Sequence, residues 1–173
     1  MRYKPNYAPG PTEVRENVRL ARAKRTNNSD FDKTFVRYYR EVSQKMGQVM
    51  GTTNEVLLLV GEGILALEAA CASLTEPGDR VLVLDNGIYG EGFKDFVSIY
   101  GGVPVVLSFD HHSGIPAEAV RAYLEKDSDF KYATLVHCDT PTSVLNNVAE
   151  LCPLLKEYGI LTVVDSVAGM VGE

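Results

Sequence analysis

From residue 55 onward, short apolar runs alternate with longer amphipathic stretches, and the alternation repeats four times without a break. The apolar runs predict strands at Glu55 to Val60, Arg80 to Asp85, Val103 to Ser108, Tyr132 to His137 and Ile160 to Asp165. Several are unbroken Val/Leu/Ile stretches, the pattern of strands buried on both faces in a parallel sheet. Between them the spacing predicts helices over Gly63 to Thr75, Gly90 to Tyr100, Pro116 to Lys126 and Asn147 to Tyr158. Glu76-Pro77-Gly78-Asp79, Gly101-Gly102 and Tyr158-Gly159 supply the helix stops. Right-handed βαβ units follow, and with them a three-layer α/β/α architecture around a mostly parallel sheet. Residues 1–54 read differently, with Pro5, Pro9 and Pro11 near the start and a helical stretch from about Phe31 to Met50. The expected division is an amino-terminal arm and helix over 1–54 and an α/β domain over 55–173.

Composition narrows the class of protein. In 173 residues, 45% are hydrophobic and 23% charged, so a disordered tail, a fibre and a disulfide knot are excluded. The longest aliphatic run, Val56 to Val60, falls far short of the roughly 20 residues that cross a bilayer. No membrane association is expected. Cys71, Cys138 and Cys152 form no C-x-x-C pair, which points to a reducing cytoplasm and to no structural metal. His111-His112 lacks ligand spacing and reads as a polar loop.

The net charge of -6 hides an asymmetry: residues 1–50 hold 11 Lys+Arg against 5 Asp+Glu, while residues 51–173 hold 6 against 18. Arg15, Arg19, Arg22, Lys24 and Arg25 are not interleaved with aromatic residues, and the acidic remainder would repel phosphate backbones, so nucleic acid is not an expected partner. A basic arm packing on an acidic body fits the pattern better.

In open α/β sheets, ligands bind beyond the carboxyl ends of the strands. Gly61-Glu62-Gly63, Asp85-Asn86-Gly87-Ile88-Tyr89, His137-Cys138-Asp139-Thr140 and Asp165-Ser166 are therefore the segments to read for chemistry. Two cofactor readings compete there. Gly61-Glu62-Gly63-Ile64-Leu65-Ala66 fits G-x-G-x-x-G/A, and Asp85 lies 24 residues after Gly61, where a dinucleotide fold keeps its ribose-binding acid. That combination suggests an NAD(P)-binding oxidoreductase domain. Glu62 counts against any phosphate held by the loop's amides.

Pyridoxal 5'-phosphate makes other demands: a phosphate cradle, a carboxylate for the ring nitrogen, an aromatic plate and a lysine. The amino end of the helix at Gly61 to Ile64 can supply the cradle. Asp165 ends an apolar strand, where an unpaired carboxylate is costly and a protonated pyridine nitrogen would pair with it. The bland alternative is that Asp165 caps its own turn. Tyr89 can stack on a ring, Thr140 can bond a phenolic oxygen, and His137 can support the floor of the pocket or act as an acid or base.

Ala8-Pro9-Gly10-Pro11-Thr12, Gly61-Glu62-Gly63-Ile64-Leu65-Ala66-Leu67-Glu68-Ala69-Ala70, Glu76-Pro77-Gly78-Asp79, Asn86-Gly87-Ile88-Tyr89-Gly90, His137-Cys138-Asp139-Thr140-Pro141-Thr142-Ser143 and Val164-Asp165-Ser166-Val167, taken together and in this order, resemble the class V aminotransferases. The likeness is greatest to the alanine-glyoxylate and serine-pyruvate branch. It implies a fold type I enzyme dependent on pyridoxal phosphate and acting as a homodimer on a small α-amino acid and an α-keto acid such as pyruvate or glyoxylate. It assigns the phosphate to the loop at Gly63 and Ile64, ring stacking to Tyr89, the phenolic oxygen to Thr140 and the pyridinium partner to Asp165.

Departures from the family pattern accompany the likeness. Glu62 and Ile64 stand where small hydroxyl and polar residues are common, and Asp139-Thr140 replaces a more usual Glu-Ser pair. In the family the lysine that anchors the cofactor follows the aspartate by roughly 25 residues. None of Lys4, Lys24, Lys33, Lys45, Lys94, Lys126, Lys131 and Lys156 lies after Asp165. The resemblance thus covers an amino-terminal portion without the smaller carboxyl-terminal domain, expected to be inactive alone or to act as the non-catalytic half of a two-chain assembly.

Overall fold

A computed structural model of the chain describes residues 5–7, 10–25 and 30–172. Lys4 and the Ala8-Pro9 part of the opening motif lie outside these. The chain forms two compact units, Met1–Val60 and Gly61–Glu173.

In the first unit, α1 (Glu16–Arg22) is a short helix that buries none of its residues. The next helix, α2 (Lys33–Val49), starts where Asp32 accepts a hydrogen bond from the Thr34 amide. Residues 55–60 do not form the expected strand. Their backbone bonds go instead to side chains of α2: the Tyr39 hydroxyl donates to the Leu58 carbonyl at 3.1 Å and accepts from the Leu58 amide at 2.9 Å, and the Ser43 hydroxyl donates to the Val56 carbonyl. The alternation of a half-buried strand survives without the ladder. Val56 and Leu58 are half-buried, while Leu57 is 70% and Val60 99% exposed.

The second unit runs α3 (Gly63–Leu74), β1 (Arg80–Asp85), α4 (Ile88–Ile99), β2 (Val103–Ser108), α5 (Ala117–Leu124), β3 (Tyr132–Val136), β4 (Cys138–Asp139), β5 (Val144–Leu145), α6 (Val148–Glu157) and β6 (Leu161–Asp165). Four strands form one parallel sheet in the order β2-β1-β3-β6. Period-2 alternation on β1 sends Leu82 and Leu84 to one core with α5 and α6, and Val81 and Val83 to another with α3 and α4. Three layers result, and apolar side chains on both faces explain why these strands read as unbroken runs. The strand expected to end at His137 stops at Val136. Beyond it β4 and β5 make a small antiparallel pair that the apolar pattern did not predict.

Tyr132 is fully buried, and its hydroxyl lies 2.8 Å from that of Thr75 at the end of α3. Burial pushes its phenol pKa upward. Two positions along β3, Thr134 Oγ1 is the one buried side-chain polar atom without a hydrogen-bond partner among the described residues. A buried hydroxyl that folding strips of water without compensation costs about 1–3 kcal/mol. Thr134→Val keeps the shape and the β-branching, so it should stabilise this unit by about 1 kcal/mol, read as a raised urea midpoint with unchanged slope.

Candidate active site

The carboxyl ends of β3 and β6, together with the amino ends of α3 and α4, place most of the predicted site residues in one connected set. The helix α3 begins at Gly63 with Glu62 as its N-cap residue, and no side chain caps that end. Gly61, Glu62 and Ile64 are exposed around it. A Cβ on Gly63 would come within 2.7 Å of the Val167 side chain, so the glycine lets the helix start lie against the turn that follows β6.

Asp165 opens that turn and is only 8% exposed. Its Oδ1 accepts from the Val167 amide at 3.1 Å, which realises the capping role; no other hydrogen bond of its side chain ties it down among those the structure shows. From β6 the set continues to His137, whose amide donates to the Asp165 carbonyl at 2.8 Å and whose Nδ1 lies 2.8 Å from Ser166 Oγ. A Cβ on Gly169 would overlap the His137 ring at 2.3 Å, so the absence of a side chain there lets the backbone of the following turn lie against the ring. These contacts make His137 a support for the turn bearing Asp165.

Thr140 is half-buried in the turn between β4 and β5, and Ser143 in that turn takes the left-handed conformation with φ 59°. Tyr89 sits in the first turn of α4, 50% exposed. Its amide donates to Asp139 Oδ1 at 3.1 Å, which links α4 to the β4 strand.

Asp85 is held elsewhere. Its buried carboxylate accepts from the Gly87 amide at 3.1 Å, and His111 Nε2 stands 3.6 Å from it. Since residues 55–60 form no strand, the glycine loop lacks the βαβ setting that gives the dinucleotide fingerprint its meaning.

Three contributors went unassigned in the sequence. Val167 flanks the helix start, Ser166 bonds His137, and a buried amide pair, Asn86 and Asn146, ties the ends of β1 and β3 together. Val167 had a usable signal, since it is a valine two residues beyond a strand-terminal aspartate. The Asn pair had none, because its members lie far apart in sequence.

The comparisons with known proteins converge on one family. The family description Aminotransferase class-V matches residues 14–173. A pyridoxamine–pyruvate transaminase of Mesorhizobium japonicum is 32% identical over 148 residues, covering 86% of this chain and 38% of that protein. Among solved structures, pyridoxamine-pyruvate aminotransferase from Mesorhizobium loti superposes with TM-score 0.90 at 28% identity, over 98% of this chain and 45% of that one. Alanine–glyoxylate aminotransferase from Nostoc sp. gives 0.88 at 26% identity, over 98% and 47%. The chain spans less than half the length of these relatives. With the parallel sheet of fold type I and the family match across nearly its whole length, the chain belongs to the class V aminotransferases, a pyridoxal-phosphate-dependent family.

Proposed function

We propose that this chain is the cofactor-binding portion of an aminotransferase that moves an amino group between a small α-amino acid and an α-keto acid such as pyruvate or glyoxylate. The observation that carries the reading is the buried Asp165 carboxylate at the end of β6, next to a helix amino end left uncapped and packed on Val167 through Gly63. Names of the relatives, pyridoxamine–pyruvate and alanine–glyoxylate, support the choice of substrates.

These residues fit pyridoxal phosphate. Amides at the start of α3, from Gly63 and Ile64 with Gly61 and Glu62 alongside, would hold the phosphate through N–H groups and the helix dipole. Glu62 is exposed and makes no cap, so its carboxylate can turn to solvent away from an anion. Tyr89 would cover one face of the ring, and Thr140 would bond the phenolic oxygen. Asp165 would hold a proton on the ring nitrogen, and His137 would hold the Asp165 turn. When bound, the cofactor withdraws electrons from the substrate's Cα.

On this reading, proton movement at Cα and the covalent anchor would fall to a lysine, and binding of the substrate carboxylate to an arginine, both of which the family resemblance implies beyond Asp165. Assembly as a homodimer in the cytoplasm is part of the reading. For the 173-residue chain we expect weak non-covalent binding of pyridoxal phosphate, seen as an induced circular-dichroism band, and no transamination. Adding NADH should leave its fluorescence unchanged. A borohydride-trapped adduct at one lysine together with turnover, or an NADH response without a pyridoxal band, would refute the reading.

A further inference from the structure

We propose that Asp139 is the positioning residue for the cofactor ring, the buried carboxylate that holds Tyr89 on α4 and Thr140 on the β4–β5 turn as one unit. The proposal rests on the reading of Tyr89 and Thr140 as ring contacts. The argument begins with α4. Its amino end needs an acceptor for the first-turn amides, and its N-cap residue, Gly87, has no side chain to offer one. Gly87 has φ 175°, ordinary extended backbone, so the torsion does not demand a glycine.

Space does. A Cβ there would stand 2.4 Å from Asp139 Cγ and 2.5 Å from Oδ2. The carboxylate of Asp139 therefore occupies the place of the missing cap. Its Oδ1 accepts the Tyr89 amide at 3.1 Å, at the position an N-cap side chain normally serves. Oδ2 accepts from the Thr142 amide at 3.2 Å and from the Thr142 hydroxyl at 2.8 Å. Asp139 has no exposed surface, and its negative charge faces the positive end of the helix dipole.

Two consequences follow for the ring contacts. Tyr89 is half exposed, so packing alone does not fix its ring, and the anchored amide is what sets the position of its Cα. Thr140 follows Asp139 directly, so the hydroxyl on the ring's edge and the plate on its face are referred to the same carboxylate.

The chain contains no tryptophan, so Tyr89→Trp places a single indole at the plate. In that background Asp139→Ala should raise acrylamide quenching of the indole by about twofold or more and remove most of its quenching by pyridoxal phosphate. Asp32→Ala, which deletes the cap of α2, serves as the control for a general loss of helix stability and should leave both signals unchanged. Asp139→Asn keeps the shape and one acceptor, so it should fold and show the same changes at reduced size if the alanine variant does not fold. Quenching by pyridoxal phosphate that survives both Asp139 variants overturns the proposal alone. No quenching in the Tyr89→Trp parent overturns the assignment of Tyr89 as a ring contact, and the proposal with it.

Discussion

Asp165→Asn is expected to lower kcat by about 10²- to 10⁴-fold in a form of this enzyme extended to the length of its relatives. The substitution is close to isosteric, and the amide oxygen can still accept the Val167 N–H that Asp165 Oδ1 accepts at 3.1 Å. Folding is therefore preserved, and the charge alone is lost. That charge sits at a strand end only 8% exposed, where little water screens it. Removing one member of a buried, hydrogen-bonded charge pair costs about 3–5 kcal/mol, because the remaining charge is left without its partner. On the proposed reading, a ring nitrogen facing Asn would no longer hold its proton, and the electron demand that the cofactor supplies at the substrate's Cα would fall accordingly. Steady-state kinetics of the extended enzyme and the induced circular-dichroism band of pyridoxal phosphate on the present chain measure the two sides of the effect. Turnover within tenfold of the parent would sink the assignment of Asp165 to the ring nitrogen.

The sheet was legible where burial on both faces left its mark. The runs at 80–85 and 103–108 coincide with β1 and β2, and those at 132–137 and 160–165 differ from β3 and β6 by one residue at an end. The run at 55–60 looks the same in sequence and forms no strand: none of its residues is buried, and its backbone bonds go to side chains instead of to a neighbouring strand. There the partners are Tyr39 and Ser43 of α2. Nor did the pattern reveal α1, a seven-residue helix that buries nothing, or β4 and β5, too short for any period to appear.

The candidate site divides in the same way. That Asp165, His137, Thr140 and Tyr89 share one end of the sheet follows from a topological rule for parallel strands. That the Asp139 carboxylate reaches the Tyr89 amide depends on a space left by Gly87 and on residues 50 apart in sequence. Local pattern carries no trace of such a contact.

The same limit applies to Asn146, for which the expected loss of stability on replacement by Ala is about 3–5 kcal/mol. Asn146 is 1% exposed and spends its whole amide on buried partners. Its Nδ2 donates to the Val136 carbonyl at 2.8 Å and to Asn86 Oδ1 at 2.9 Å, while its Oδ1 accepts from Asn86 Nδ2 and from the Ile115 amide, both at 2.9 Å. Alanine removes four hydrogen bonds at once and leaves the Ile115 N–H and one edge of the Asn86 amide stripped of water. Asn86→Ala removes three hydrogen bonds, two to Asn146 and one to the Ser113 carbonyl, so it should cost less than Asn146→Ala, which removes four. The double variant should cost clearly less than the two single losses added together, since each removes the same pair of bonds. Urea unfolding of the four forms gives these energies from midpoints at constant slope. A loss below about 1 kcal/mol for Asn146→Ala, or strict additivity in the cycle, would show that the amide pair does not lock the ends of β1 and β3 together. If the lock holds, Asn146→Ala should also weaken pyridoxal phosphate binding at temperatures where the sheet remains folded, because Gly87 and His137 are the direct chain neighbours of the residues it joins, Asn86 and Val136.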